Sequence, residues 1–261
     1  MEIELGFMWE TFLVALSGIP VTLKLTFVTL LISTPLAFFM ALGKLMDHKI
    51  SSKVIGFYVS FVRGTPIVLQ ILFFYSLLPT ALNYFFKNVL HSEYNVFAWN
   101  PIIYAYTVFS LNTIAVLSEV FRSALLTVNA GQLEAAMSIG ETKFQAYTRI
   151  IIPQALVAAL PNIGNTTVSL LKNTSLAYMM TVKDITALAK IEAAIGYNYI
   201  EAYLVILMIY VLLCTVVQLI FRFAENVLSV YKKRLTKPNE RRRLSYILSR
   251  VATVSTLLRG V

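Results

Sequence analysis

Apolar residues in this chain do not alternate with polar ones but run together in long blocks. No Asp, Glu, Lys or Arg occurs in residues 25–43, 64–86, 94–118, 150–171 or 202–221. Wound as a helix rising about 1.5 Å per residue, each block can cross the roughly 30 Å of hydrocarbon in a bilayer. The pattern predicts an all-α integral membrane protein with about five transmembrane helices. Ahead of the first block, residues 5–18 are mildly apolar and cut off by Gly18 and Pro20, which predicts a short helix lying in the interface. The second block carries Arg63-Gly64-Thr65-Pro66 near its inner end. A proline has no N–H and leaves the carbonyl of Val62 unpaired, so a kink or break is expected there. Residues 79–101, rich in aromatics, read as an outer connection.

Composition sharpens the class. The chain is 58% hydrophobic and 13% charged, whereas a soluble domain carries about 25% charged residues. A soluble enzyme is excluded. The net charge of +9 is concentrated at one end: residues 222–261 hold ten Lys/Arg and two acids. A basic segment beside a final span marks the cytoplasmic end of a membrane protein more readily than a nucleic-acid surface. With five spans and that tail inside, seventeen Lys/Arg fall on the inner side and five outside, and seven against five without the tail. Trp9 and Trp99 fall at outer span ends, as interfacial anchors do. The expected topology is N-terminus out and C-terminus in. Residues 1–20 form an interfacial segment, 21–228 the spanning domain with a loop at 127–153, and 229–261 a basic tail whose residues 244–258 place apolar side chains on one helical face. The single cysteine, Cys214, excludes a disulfide framework or a thiol metal cluster, and the acidic N-terminus does not resemble a secretory signal.

Polar side chains inside apolar spans are costly and carry information. In the fourth block Asn162, Asn165, Thr166, Ser169 and Asn173 recur every three or four residues and form one stripe on a helix. Two readings stand: hydrogen bonds between helices, or one wall of a solute path. Gln70 and Gln218 are candidates for the same wall. Glu119 and Arg122 are three apart and pair on one helix face.

Between the third and fourth blocks the chain reads Asn129-Ala130-Gly131-Gln132-Leu133-Glu134-Ala135-Ala136-Met137-Ser138-Ile139-Gly140. Asn129 suits an N-cap with Gln132 closing a capping box, and Glu134 sits near the positive helix end. Gly140 suits a left-handed stop, and Pro153 the start of the next helix. A short helix along the membrane surface, a turn and a re-entering span are expected.

Glu134-Ala135-Ala136, three residues, Gly140, nine residues, then Ile150-Ile151-Ile152-Pro153 resembles the EAA signature of ABC importer permeases, with Ile152 in place of the usual Leu. Residues 18–23, 63–70, 119–123 and 171–177 are similar to the polar amino-acid (histidine/glutamine-type) subfamily. The resemblance covers residues 12–225. It implies a type I importer permease with five spans in a bacterial inner membrane, paired with a second permease, identical or closely related. Two cytoplasmic ATPases would bind ATP and Mg, and a solute-binding protein outside would deliver an amino acid. Glu134, Ala135, Ala136, Gly140 and Pro153 would belong to the coupling loop that docks on an ATPase and drives alternating access. The chain has no G-x-x-x-x-G-K-[ST] phosphate loop, so hydrolysis falls to a partner and this subunit needs no cofactor. A secondary transporter would want ionisable groups within the spans, and a mere membrane anchor would need neither stripe nor signature. The stripe offers no carboxylate for a cationic side chain, which favours an amino acid with an uncharged side chain, such as cystine or glutamine.

Overall fold

The computed structural model describes residues 4–45, 49–92 and 95–236. Every regular element among them is helical: α1 Leu5–Leu16, α2 Ile19–Leu45, α3 Lys49–Gly64, α4 Ile67–Asn88, α5 Pro101–Leu126, α6 Ala130–Ser138, α7 Lys143–Ala146, α8 Ile152–Asn173, α9 Ile185–Gly196 and α10 Tyr199–Thr236. Short irregular turns join several of them, including a π-helical turn at Tyr147–Ile151. The apolar face expected over residues 244–258 lies outside the described residues.

Among the described residues four helices are long and apolar enough to cross a membrane: α2, α4, α5 and α10 as far as Leu228. The fourth predicted span forms α8, 22 residues long. It falls outside that group because its polar stripe lowers its hydropathy.

Packing centres on α5, which lies against α2, α3, α4 and α8. Small residues set the close approach: Ala37 and Ala41 of α2 and Ala155 and Ala159 of α8 meet Leu117 and Phe121 of α5. Where apolar burial brings no advantage over lipid, such close backbone approach supplies dispersion instead. Asn100 starts α5, its side chain accepting from the Ile102 N–H at 3.0 Å, with Pro101 in the first turn.

A second cluster joins α1, α9 and the first half of α10 through Ala15, Ile185, Ala189, Ala193, Ala202 and Val205. The predicted N-terminal helix therefore forms, and it docks on α9 and α10. Beneath it Asp184, fully buried, caps α9 by accepting from the Ala187 N–H at 2.8 Å and from the Tyr210 hydroxyl at 3.2 Å. Burial pushes its carboxyl up to about 6, against the opposing pull of these donors.

The second predicted span forms α4, and the break falls at Thr65-Pro66 as expected. It lies opposite the middle of α5. Gln70 bonds Asn112, about halfway along α5, and Val59 and Val62 of α3 pack on Ala115. Ahead of the break, α3 is a separate helix that packs on α5 and carries Lys49, Lys53 and Arg63. At the other end α4 runs through Pro79 to Asn88. A proline removes one ladder bond without ending a helix that lipid and neighbours hold, so the outer connection shrinks to residues 89–100.

Candidate functional site

A cavity of about 220 Å³ lies between α5 and α8, lined by Asn112, Thr113, Asn162, Asn165, Thr166, Ser169 and Asn173 with Val116, Val120 and Leu170. The stripe read from sequence is its wall. Every polar group there is uncharged. Thr166 turns its hydroxyl back to the Asn162 carbonyl at 2.8 Å, while the side chains of Asn162, Asn165, Ser169 and Asn173 make no hydrogen bond among the described residues and offer both donors and acceptors. Asn165 also lines a second cavity, of about 210 Å³, between α8 and α10 with Pro161, Gly164, Gln218, Phe221, Arg222 and Glu225. Gly164 permits that approach: a Cβ there would stand 2.9 Å from the Phe221 ring. Arg222 and Glu225 bring one cation and one carboxylate to this space, a turn apart. Sequence reading missed both, since charges at a span end read as a boundary.

Gln70 does not line either cavity. It is 7% exposed, and its amide nitrogen donates to the Val62 carbonyl at 2.8 Å and to Thr65, whose carbonyl is at 3.1 Å and hydroxyl at 2.8 Å. Its oxygen accepts from Asn112 Nδ2 at 3.0 Å. The carbonyl freed by Pro66 is therefore satisfied by Gln70, and the same side chain steadies one residue of the cavity wall. Arg63, beside this break, is exposed and forms no ion pair among the described residues.

Glu119 pairs with Arg122 at 2.8 Å, as its spacing predicted, and also with Lys44 of α2. The triad ties α2 to α5.

Along the loop, α6 begins at Asn129, whose side chain accepts from the Gly131 N–H at 2.8 Å. Gln132 does not close a capping box. It turns away to Gln154 in the first turn of α8, each amide nitrogen donating to the other's oxygen, at 3.2 and 2.6 Å. The capping box of this segment is instead Thr142 with Gln145 at the start of α7. The stop at Gly140 is as expected: φ is +93°, the Gly140 N–H reaches the Met137 carbonyl and the Glu141 N–H reaches that of Ala136, both at 3.1 Å. Those two bonds make a Schellman motif, which needs a left-handed residue at this place. Glu134 and Ala135 are exposed and Ala136 is buried. Pro153 is exposed at the start of α8. Met137, Ile139 and Phe144 stand 51, 81 and 77% exposed, so the loop presents an uncovered apolar patch.

The model of the binding-protein-dependent transport system inner membrane component matches residues 33–229. The probable amino-acid permease protein YxeN of Bacillus subtilis (strain 168) is 33% identical over 227 residues, covering 87% of this chain and 96% of that one. Similar are the L-cystine transport system permease protein TcyL of the same organism, 31% identical over 83% of this chain and 88% of its own length, and the histidine/lysine/arginine/ornithine transport system permease protein HisM of Escherichia coli (strain K12), 32% identical over 80 and 87%. Among solved structures, an amino acid ABC transporter with histidines superposes with a TM-score of 0.71 at 28% identity, over 87% of this chain and 99% of that chain. The MetNI methionine ABC transporter, at 16% identity and a TM-score of 0.56 over 86 and 95%, shares the fold.

Proposed function

This chain belongs to the family of binding-protein-dependent transport system inner membrane components, and from that premise we propose the direction, solute and partners of its transport. It is a permease subunit of an ABC-type amino-acid importer, a channel component and not an enzyme. Its solute is an amino acid whose side chain carries no net charge. The observation that carries this reading is the wall of the cavity between α5 and α8, seven polar side chains without a charge among them. Such a wall replaces the hydration of a polar solute while holding none of its ionic groups fast.

A second permease, identical or closely related, completes the path on the open face of α8. Each permease binds one of two ATPases through the apolar patch of Met137, Ile139 and Phe144 around its coupling loop, and the ATPases supply ATP and Mg; a solute-binding protein delivers from outside. Their closure on nucleotide moves α6 and alternates access to the cavity. The N-terminus lies outside and the C-terminus inside. In a chain carrying Cys214→Ala, a cysteine at Glu141 is then labelled only from the cytoplasmic side and one at Asn88 only from outside; the reverse pattern inverts the topology.

Thr166→Glu tests the solute. A carboxylate facing a cation at about 4 Å gains about 4 kcal/mol at an effective dielectric near 20, before desolvation. The net preference for cationic over neutral amino acids should rise about tenfold (~1–2 kcal/mol), read as the substrate dependence of ATPase stimulation in proteoliposomes. Normal insertion with unchanged preference removes Thr166 from the path. Failure to accumulate shows a packed position where an unpaired charge is buried.

A further inference from the structure

We propose that the paired amides of Gln132 and Gln154 are the joint that carries movement of α6 into the polar face of α8. The proposal rests on the reading of α6 as the helix that contacts the ATPase. By the chain alone, α6 is a poor lever for α8. The covalent route between them runs through the Gly140 turn, the four-residue α7 and the π-helical turn of Tyr147–Ile151, so a left-handed turn and a π turn stand between the two regular helices. A π turn breaks the regular ladder of a helix and is a place where one yields.

The amide pair bypasses that route. Gln132 sits in the first turn of α6 and Gln154 in the first turn of α8. Their two reciprocal hydrogen bonds, at 3.2 and 2.6 Å, fix a separation and an orientation together, which one bond or an apolar contact would not. Both side chains are half-buried, where water competes less for the amides. Gln154 Nε2 also donates to the Ile150 carbonyl at 2.9 Å. One nitrogen therefore uses its two hydrogens to brace the π turn and to hold α6. Leu133, the next residue of α6, packs against the same cluster as Ile151 and Ala155, so the contact is polar and apolar at once. Beyond the joint α8 continues as one helix through Pro161, which removes a single ladder bond without ending it. Asn165, which lines both cavities, stands three turns along it, about 16 Å away. Displacing α6 displaces this wall.

Gln132 and Gln154 are thus positioning residues, and the experiment reads position without needing the solute's identity. The intact transporter, permease with its ATPase, carries Cys214→Ala and Ser169→Cys on the cavity face. The rate of thiol labelling is measured with and without a non-hydrolysable ATP analogue. In this parent the analogue should change the rate about fivefold or more, the low end of ordinary coupling strengths. Adding Gln132→Leu or Gln154→Leu should reduce the change to less than about twofold, with the ATPase still bound and the amount of transporter unaltered. Gln132→Glu together with Gln154→Lys, which replaces the amide pair by an ion pair, should restore at least half of the response. A response in either Leu variant equal to that of the parent overturns the proposal. So does a charge pair that inserts and binds the ATPase but responds no better than the Leu variants, because general packing of the loop would then be the cause. If the Leu variants fail to accumulate, the charge pair alone decides between the same two outcomes. A parent that does not respond to nucleotide overturns the proposal together with the reading of α6 as the ATPase-contacting helix, whereas a responding parent with equally responsive Leu variants overturns the joint alone.

Discussion

Two interruptions of helical backbone, one at Thr65-Pro66 and one at the π turn before α8, are each sealed by a glutamine. At the first, Gln70 donates to the carbonyls of Val62 and Thr65 and accepts from Asn112. At the second, Gln154 donates to the Ile150 carbonyl and grips Gln132. Each amide donates to a backbone carbonyl at its interruption while reaching a second element; at the first, that carbonyl is the one Pro66 leaves without its helical donor. What differs is where the second contact goes. Gln70 is buried and joins two spanning helices, α4 and α5, so its break is fixed in the frame of the cavity. Gln154 is half-buried and joins a spanning helix to the loop, so its break is tied to whatever moves that loop. The destination of the amide, not the break itself, separates a fixed bend from a working one.

The comparison is broken most severely at Gln70. Gln70→Leu would leave two carbonyls and the Asn112 amide without their partner in the middle of the span. At about 1–3 kcal/mol for each buried group left unpaired, the three together cost about 3 kcal/mol or more, and the subunit should fall to a minor fraction of its normal amount in membranes. Normal abundance with an unshifted melting curve in detergent would mean that water enters the break and holds it. A smaller effect, on function and not on abundance, is expected at Gly140. No heavy atom lies within 4 Å of a Cβ built there, so Gly140→Val meets no clash. Its positive φ nevertheless strains a β-branched residue by about 1–3 kcal/mol. The Schellman stop should open, and uptake should drop while insertion is kept. Wild-type uptake by Gly140→Val would separate that turn from coupling.

Much of this frame was legible in the sequence. Uncharged blocks located the spans, and periodicity alone gathered Asn162, Asn165, Thr166, Ser169 and Asn173 onto one cavity wall. The Gly140 stop was legible because only a few residues tolerate its backbone conformation, and the N-cap at Asn129 because capping acts within a turn. The features that escaped are those whose partner is distant. Gln132 satisfies the spacing of a capping box, but a partner 22 residues away in Gln154 competes for the same amide and wins. Gln70 read as a wall residue because sequence shows that Pro66 frees a carbonyl without showing which donor reaches it. Charges hid α3, although only its half beyond Ile55 packs deep against α5. Arg222 and Glu225 escaped for a related reason, since a charge that ends an apolar block also faces back into the space beside it.

The polar face of α8 sets a problem for biogenesis. A helix enters the bilayer from the translocon according to the sum of its side-chain transfer costs, and α8 is the one predicted span that does not reach the hydropathy of its neighbours. Its insertion therefore leans on α5, already made when α8 emerges and packed along its Ala155–Ala159 side, and afterwards on α10, which closes over Gly164. The order of helices along the chain becomes an order of assembly, with the least lipid-compatible span flanked by a partner on either side in time as well as in space.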